Sequence, residues 1–502
     1  MTDTRNPSAP PELAYGTARG RWVLAATVLG SGIAAIDATV VGIALPAIGR
    51  DFHTDVASLQ WVVDAYTLTL ASLLLLGGTL GDRSGRRRVF AIGTVWFALA
   101  SLAAGLAPNV ALLIAARALQ GVGGALLTPG SLAILEASFR KDDRGKAIGA
   151  WSGLGGVATA IGPFVGGWLI SAVSWRLVFF INLPVAAAVV LMTVRHVPES
   201  MAPGPRARID RAGAITISLA LASLTYGLIA ASGSGGWTSP TVLIGLGIGV
   251  GAFAAFIVAE LRVKEPMLPL SIFRSRQFSA ANAVTFVVYG AIGGALFLVP
   301  VVLQDVCGYS ALEAGVSLLP VTVIMLALSS RSGALAARIG PRLQMTVGPI
   351  VIAASMVLFA RIHGNGDYLT QVLPAVLVFG FGTAINVAPL TMTAMSAAPA
   401  EHAGIASAVN NDVARTASLI AVAVLPVLGG ITGDAYTHPA ALTHGFHVAV
   451  LISAVAAAAG GLLAAVTIKN PSPERSLPTP PEPHPVDGLH CGLEAPPLRA
   501  GD

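Results

Sequence analysis

Two opposite charges, Asp37 and Arg117, stand inside long apolar runs of this 502-residue chain. Ionisable side chains in such runs are costly to bury and default to functional roles. Asp37 lies about nine residues, or ~13 Å, from one end of its run, and Arg117 about seven residues, or ~10 Å, from the corresponding end of its own. The matched depths allow the two to meet. Burial and a neighbouring guanidinium act in opposite senses on a carboxyl group's hold on its proton. A carboxyl that meets and leaves a guanidinium would therefore take up and release a proton in turn. The competing reading is a static ion pair that only joins two helices.

Further polar residues interrupt apolar stretches. Asp64 sits near one end of its run, in Trp61-Val-Val-Asp64-Ala-Tyr66, either as an interfacial residue in water or as a second acid on a proton route. Asp412 and Arg415 are spaced i,i+3 and share one helical face, where they either neutralise each other or face a cavity. Asn410, Asn411 and Asn386, with Tyr289, are the remaining candidates for a cavity wall.

These residues must be positioned by membrane-spanning helices. The chain is 54% hydrophobic and only 11% charged, with a mean hydropathy of +0.75. Soluble domains carry roughly a quarter charged residues. About 20 apolar residues at helical rise cross the hydrocarbon core, and the alternating pattern of a membrane barrel is absent. The expected fold is all-α, with fourteen spans at 22–46, 61–80, 89–107, 110–132, 147–170, 175–194, 212–232, 241–260, 279–303, 314–331, 345–362, 369–393, 405–430 and 445–467. All but five of the 30 lysines and arginines fall on one side of this arrangement, the exceptions being Arg50, Arg117, Arg176, Arg361 and Arg415. By the positive-inside rule both termini are then cytoplasmic, and the net charge of +5 is a topology signal, not a nucleic-acid footprint.

The chain also repeats itself. Gly78-Thr-Leu80-Gly-Asp82-Arg83-Ser-Gly85-Arg86-Arg87 between spans 2 and 3 returns as Gly333-Ala-Leu335-Ala-Ala337-Arg338-Ile-Gly340-Pro-Arg342 between spans 10 and 11. Pro46 at the end of span 1 is likewise matched by Pro300 late in span 9. Two six-helix halves with two inserted helices account for the spacing, and parallel repeats of this kind are a transporter architecture. The expected divisions are a polar segment at 1–20, a first bundle at 21–195, inserted helices with their loops at 196–278, a second bundle at 279–467, and a Pro-rich mobile tail at 468–502. In the first loop, Asp82 is placed to accept backbone N–H groups at a helix start, with Arg83, Arg86 and Arg87 on the cytoplasmic side. In span 5, Gly162-Pro163 with Gly166-Gly167 joins a helix-bending proline to glycines that admit a close neighbour.

The first loop resembles the loop signature of the major facilitator superfamily. Leu113-x-x-x-Arg117-x-x-Gln120-Gly121 in span 4 is similar to a second motif of that superfamily. Gly162-Pro163-x-x-Gly166-Gly167 resembles the antiporter motif of its drug-exporting branches. Ile36-Asp37-Ala-Thr39 through Pro46, Trp175-Arg176 through Asn182-Leu-Pro184, Asp210-x-x-Gly213 and Glu265-Pro266-Met267-Leu268 resemble the fourteen-helix drug:proton antiporters. Gly42 departs from that branch, which carries Asn there. The resemblance covers residues 20–467. It implies export of lipophilic, often cationic compounds in exchange for protons by alternating access, with Asp37, Arg117 and Asp64 in proton coupling and the loop acting as a conformational latch. The chain also resembles antibiotic self-resistance exporters of actinobacteria, including the puromycin type. Transport of an endogenous metabolite or lipid-like compound is the alternative.

Other chemistries are excluded. Gly245-x-Gly247-x-Gly249-x-Gly251 lies within an apolar span and follows no strand, so it is not a dinucleotide fingerprint. Gly145-Lys146 is followed by alanine, so no phosphate-binding loop forms. His438, His444 and His447 share an outer loop, where a solvated role outweighs metal binding. Cys307 and Cys491 are too far apart for a disulfide framework. No nucleophile–base set appears in the spans. The expectation is a non-enzyme without metal or organic cofactor, using protons as coupling ion, acting as a monomer among lipids in a bacterial cytoplasmic membrane.

Overall fold

The computed structural model describes residues 13–201, 210–233, 236–364, 366–397, 403–432 and 438–470. Most of the expected polar start and Pro-rich tail lie outside the described residues. Fourteen long helices run through the rest: α1 Ala18–Phe52, α2 Val56–Ser84, α3 Arg86–Gly105, α4 Val110–Ser138, α5 Lys141–Ala172, α6 Leu177–His196, α7 Arg211–Ala230, α8 Pro240–Arg262, α9 Arg276–Asp305, α10 Ala311–Ile339, α11 Arg342–Phe359, α12 Tyr368–Ser396, α13 Ala403–Leu428 and α14 Pro439–Thr467. Thirteen are long and apolar enough to cross a membrane, and the other, α5, has 32 residues with an apolar stretch at Ile161–Ala172. The fold is all-α and polytopic. The only strand-like pairing among the described residues is a single bridge between Leu13 and Phe139.

Local chemistry sets the helix ends. Asp55, Asn109, Asp210, Ser239 and Ser275 each accept a backbone N–H in the first turn of α2, α4, α7, α8 and α9. Ser310 and Glu313 close a full capping box at the start of α10. Pro46 does not end its helix as expected, and Pro300 lies inside its helix as the sequence placed it. α1 continues to Phe52 and α9 to Asp305, because packed membrane helices re-satisfy the groups a proline frees.

Within the first half, α1 packs on α5 and α6, and α2 and α3 pack on α4; within the second, α9 packs on α13 and α14, and α11 on α12 and α14. The inserted helices α7 and α8 form a hairpin, and α7 leans on α2 from one half and α13 from the other. Gly245 and Gly249 of α8 let it close on Gly227 and Leu224 of α7, while Gly247 and Gly251 meet nothing. The glycine alternation is a packing face.

Among the described residues, hydrogen bonds join the two halves at Arg50–Asp305 (2.7 Å), Gln304 Nε2 to Ile43 O (2.9 Å), Gln60 Nε2 to Val422 O (2.6 Å), and Leu312 N to Ser171 Oγ (3.3 Å). All lie in the half of the molecule farther from the termini. Toward the termini, a Cβ added to Gly145, Gly149 or Gly153 of α5 would have nothing within 4 Å, and Val323, Leu326 and Leu335 of α10 are exposed. Among the described residues, the hydrogen bonds between the halves are gathered at the end away from the termini.

Candidate functional site

Asp37 and Arg117 meet. Arg117 Nη1 donates to Asp37 Oδ2 at 2.5 Å, and each residue is 1% exposed. Arg117 Nη1 also donates to Gln120 Oε1 at 2.6 Å and Arg117 Nε to Val62 O at 3.0 Å. Asp37 Oδ1 accepts from Gln120 Nε2 at 2.8 Å and Asn182 Nδ2 at 3.1 Å. Ser101 ties the two amides together, accepting from Asn182 at 2.9 Å and Gln120 at 3.2 Å, and itself donates to Phe179 O at 2.9 Å. The guanidinium stacks 4.4 Å from the centre of the Tyr66 ring. Five helices, α1 to α4 and α6, thus converge on one carboxylate.

This arrangement has an asymmetric energetic character. A buried ion pair adds little net stability over apolar packing, yet removing one partner costs about 3–5 kcal/mol. Gln120, Asn182, Ser101 and Tyr66 were not among the expected site residues. Gln120 stands i,i+3 from Arg117, and Asn182 is a polar interruption just before Leu183-Pro184; those were the available signals. Nothing marks Ser101 or Tyr66 in the sequence, since their role depends on which faces of α2 and α3 turn inward.

Asp64 is not interfacial. It is 1% exposed and neither carboxyl oxygen has a hydrogen-bond partner. It shares the α2 face of Gln60 and Leu68, which reaches α13 through Val422 and Leu419. Asp412 and Arg415 form no ion pair with each other; Asp412 Oδ1 and Arg415 Nε both lack hydrogen-bond partners. Sharing a helical face did not bring the heads into an ion pair, because i,i+3 spacing fixes where the side chains start and not where their ends point.

The expected cavity wall is only partly one surface. Tyr289 is half-buried and Asn411 is exposed, its amide donating to Ser407 O at 3.1 Å. Asn410 instead knits α13 to α9, donating to Thr285 Oγ1 at 2.8 Å and Asn282 Oδ1 at 3.2 Å. Neither atom of the Asn386 amide has a hydrogen-bond partner. The residue is fully buried in α12 against Gly348 of α11, where an added Cβ would lie 2.7 Å from its own.

The loop motif is hardly a loop. α2 runs through Asp82 to Ser84, Gly85 turns the chain at φ 104°, and α3 starts at Arg86. Gly78 packs loosely against Pro129 of α4, and Arg83 is half-buried in the last turn of α2. Asp82 does not cap a helix as expected; it binds Arg86 through Nε at 2.8 Å and Nη2 at 2.7 Å. The cap comes from Glu199, beyond α6, which accepts from Arg87 N at 3.0 Å and Arg88 N at 3.2 Å, with the Arg87 guanidinium 3.6 Å away. The second repeat does the same with a different residue. Gly340 turns at φ 86°, and Asn470, beyond α14, accepts from Arg342 N at 3.0 Å. The internal repeat therefore extends to trans-acting caps that the matching of the two stretches did not reveal.

The glycines of α5 bring three helices together. A Cβ on Gly162 would strike Thr39 Oγ1 of α1 at 2.6 Å, Gly166 abuts Val40, and a Cβ on Gly167 would lie 2.7 Å from Ala311 O of α10. Pro163 belongs to the same contact, facing Gly315. This stretch is one of the places where the first half meets the second. Among the described residues no three His, Cys, Asp or Glu side chains gather as a metal site; His447 bonds Ile362 O at 2.9 Å. Cys307 is free and half-buried, and Cys491 lies outside the described residues.

Comparisons with known proteins agree with this architecture. Residues 27–422 match the Major Facilitator Superfamily. The chain is 38% identical to a tetracenomycin C resistance and export protein of Streptomyces glaucescens, covering 82% of this chain and 76% of that one. It is 34% identical to a puromycin resistance protein of Streptomyces alboniger, over 86% and 87% of the two chains, and 35% identical to a methylenomycin A resistance protein of Bacillus subtilis, over 81% and 87%. In fold it resembles a crystal structure of a peptide transporter at a TM-score of 0.66 and 15% identity, covering 92% of this chain and 98% of that one. Helices, motifs and relatives converge: the chain belongs to the major facilitator superfamily of membrane transporters and is not an enzyme.

Proposed function

We propose that this transporter exports lipophilic, drug-like compounds, cationic ones among them, in exchange for protons. The observation that carries the reading is the Asp37–Arg117 network, a buried carboxylate held by a guanidinium and two amides. Alternating access supplies the cycle. An arrangement joined at the end away from the termini corresponds to a state open on the terminus-bearing side, and that side is the cytoplasm of a bacterial cell by the distribution of basic residues. Rocking of the halves would separate the α1–α9 and α2–α13 contacts and alter the Asp37 environment. Asp64, buried without a donor, serves as the second acid, and Asn411, Asp412, Arg415 and Tyr289 contribute the polar part of the substrate path. The Asp82–Arg86 pair and the Glu199 cap steady the first half during the rocking. The relatives' names, which describe antibiotic resistance and export, support efflux over uptake.

The test is a panel of antibiotics and cationic dyes, scored for resistance and cellular accumulation with and without a proton uncoupler. Lowered accumulation that the uncoupler abolishes is expected. Accumulation unaffected by the protein across the panel, or efflux indifferent to the uncoupler, would overturn the reading.

A further inference from the structure

Asp210 and Glu260 lie at the terminus-bearing ends of α7 and α8, and are only 6% and 4% exposed. One oxygen of each has a donor. Asp210 Oδ1 accepts from Gly213 N at 2.7 Å and Glu260 Oε2 from Leu268 N, in the segment leading to α9, at 2.9 Å. The other two, Asp210 Oδ2 and Glu260 Oε1, are buried with no donor. Both crowd one point, since a Cβ on Gly213 would lie 2.7 Å from the first and 2.5 Å from the second. The glycine of the Asp210-x-x-Gly213 stretch leaves the room in which two acceptor oxygens face each other.

Two ionised carboxylates so placed in a low dielectric would repel strongly. Among the described residues no cation offsets them. Arg211 on α7, Arg262 on α8, and Lys264 and Glu265 on the following segment are all exposed, and neither carboxyl has an ion pair among the described residues. α2 and α13, which pack on α7, carry Asp64, Asp82, Arg83, Asp412 and Arg415, and none of these bonds either carboxyl. A hydrogen between the two oxygens satisfies both.

We propose that Asp210 and Glu260 hold one proton between them, forming a protonation site separate from Asp37 that clasps the base of the α7–α8 hairpin to the segment leading into α9. The proton belongs to the pair, not to either residue. At neutral pH the folded clasp keeps a proton that the carboxyls of the unfolded chain have already released at about pH 4, so its contribution to stability is present at low pH and is lost as pH rises. Because α7 touches both halves, loosening the clasp loosens the hairpin against both.

The test uses the purified full-length protein in lipid nanodiscs and involves no substrate. The infrared spectrum of the wild type at neutral pH, minus that of Glu260→Gln or of Asp210→Asn, should show a protonated-carboxyl C=O band; any band from Asp64 or Asp412 is common to all three proteins and cancels. In thermal unfolding, Glu260→Gln, whose amide donates at every pH, should lose its melting temperature less than the wild type as the pH is raised from mildly acidic to alkaline. Asp210→Asn provides the same spectroscopic reading if Glu260→Gln fails to fold. Difference spectra without such a band for either substitution, or parallel melting curves across pH, would overturn the assignment.

Discussion

Replacing Asp37 with asparagine nearly preserves side-chain volume and removes one charge, so its effect isolates electrostatics from packing. The amide oxygen can take the place of Oδ1 and keep the donors Gln120 and Asn182, now at 2.8 and 3.1 Å. The amide nitrogen then stands where Oδ2 accepts from Arg117 at 2.5 Å, donor against donor. Arg117 keeps Val62 O and Gln120 Oε1 but has no negative charge within a site that excludes water. Losing one partner of a buried pair costs about 3–5 kcal/mol, which shifts a two-state equilibrium by roughly 10²–10⁴-fold. The observed arrangement should therefore lose most of its population, and proton-driven efflux should vanish. The assay is substrate efflux and lumenal pH in proteoliposomes, with insertion verified, for Asp37→Asn, Arg117→Gln and the double variant. A coupling energy well above ~0.5 kcal/mol, the scale on which independent sites still add, is expected for the pair. Unaltered efflux by well-inserted Asp37→Asn, or additive effects in the cycle, would refute the reasoning.

Glu199→Ala removes the acceptor at the start of α3 and should cost about 1 kcal/mol of stability, as other lost helix caps do; Glu199→Gln, which keeps an oxygen, should melt closer to the wild type. Gln60→Leu removes the donor to Val422 O, the carbonyl that Pro426 deprives of its helical partner. An unsatisfied buried carbonyl costs about 1–3 kcal/mol, so labelling of Ala44→Cys from the side opposite the termini should rise severalfold, and unchanged labelling would show that Gln60 does not hold that end closed. Burial pushes the Cys307 thiol up to about 11. Its thiolate fraction at neutral pH is then on the order of 10⁻⁴, and maleimide labelling should be slow and rise about tenfold per pH unit; rapid labelling at neutral pH would contradict that burial.

Much of the site was legible because membrane burial makes polar residues rare. Asp37 and Arg117 stood out against their apolar neighbours, and counting helical rise was enough to place them at one depth. Asn386 and Asn410 stood out equally, yet one is sealed between α11 and α12 and the other joins α13 to α9. Rarity identifies a polar residue without saying which way its helix is rotated. Asp64 shows the same gap from the other side: its position near a helix end suggested water, whereas the packing of α2 on α13 buries it.

Hydropathy, the placement of basic residues and the repeated Gly–Arg stretches are properties of the chain itself, and hydropathy was sufficient for an all-α polytopic protein. Each depends only on local composition and on the fixed rise of a helix. Tertiary structure alone decided that Glu199 and Asn470 cap helices begun far earlier in the sequence, that Asp82 turns to Arg86, and that Asp210 faces Glu260. Those contacts depend on the rotation and approach of whole helices, which follow from the summed packing of many side chains and not from any one motif.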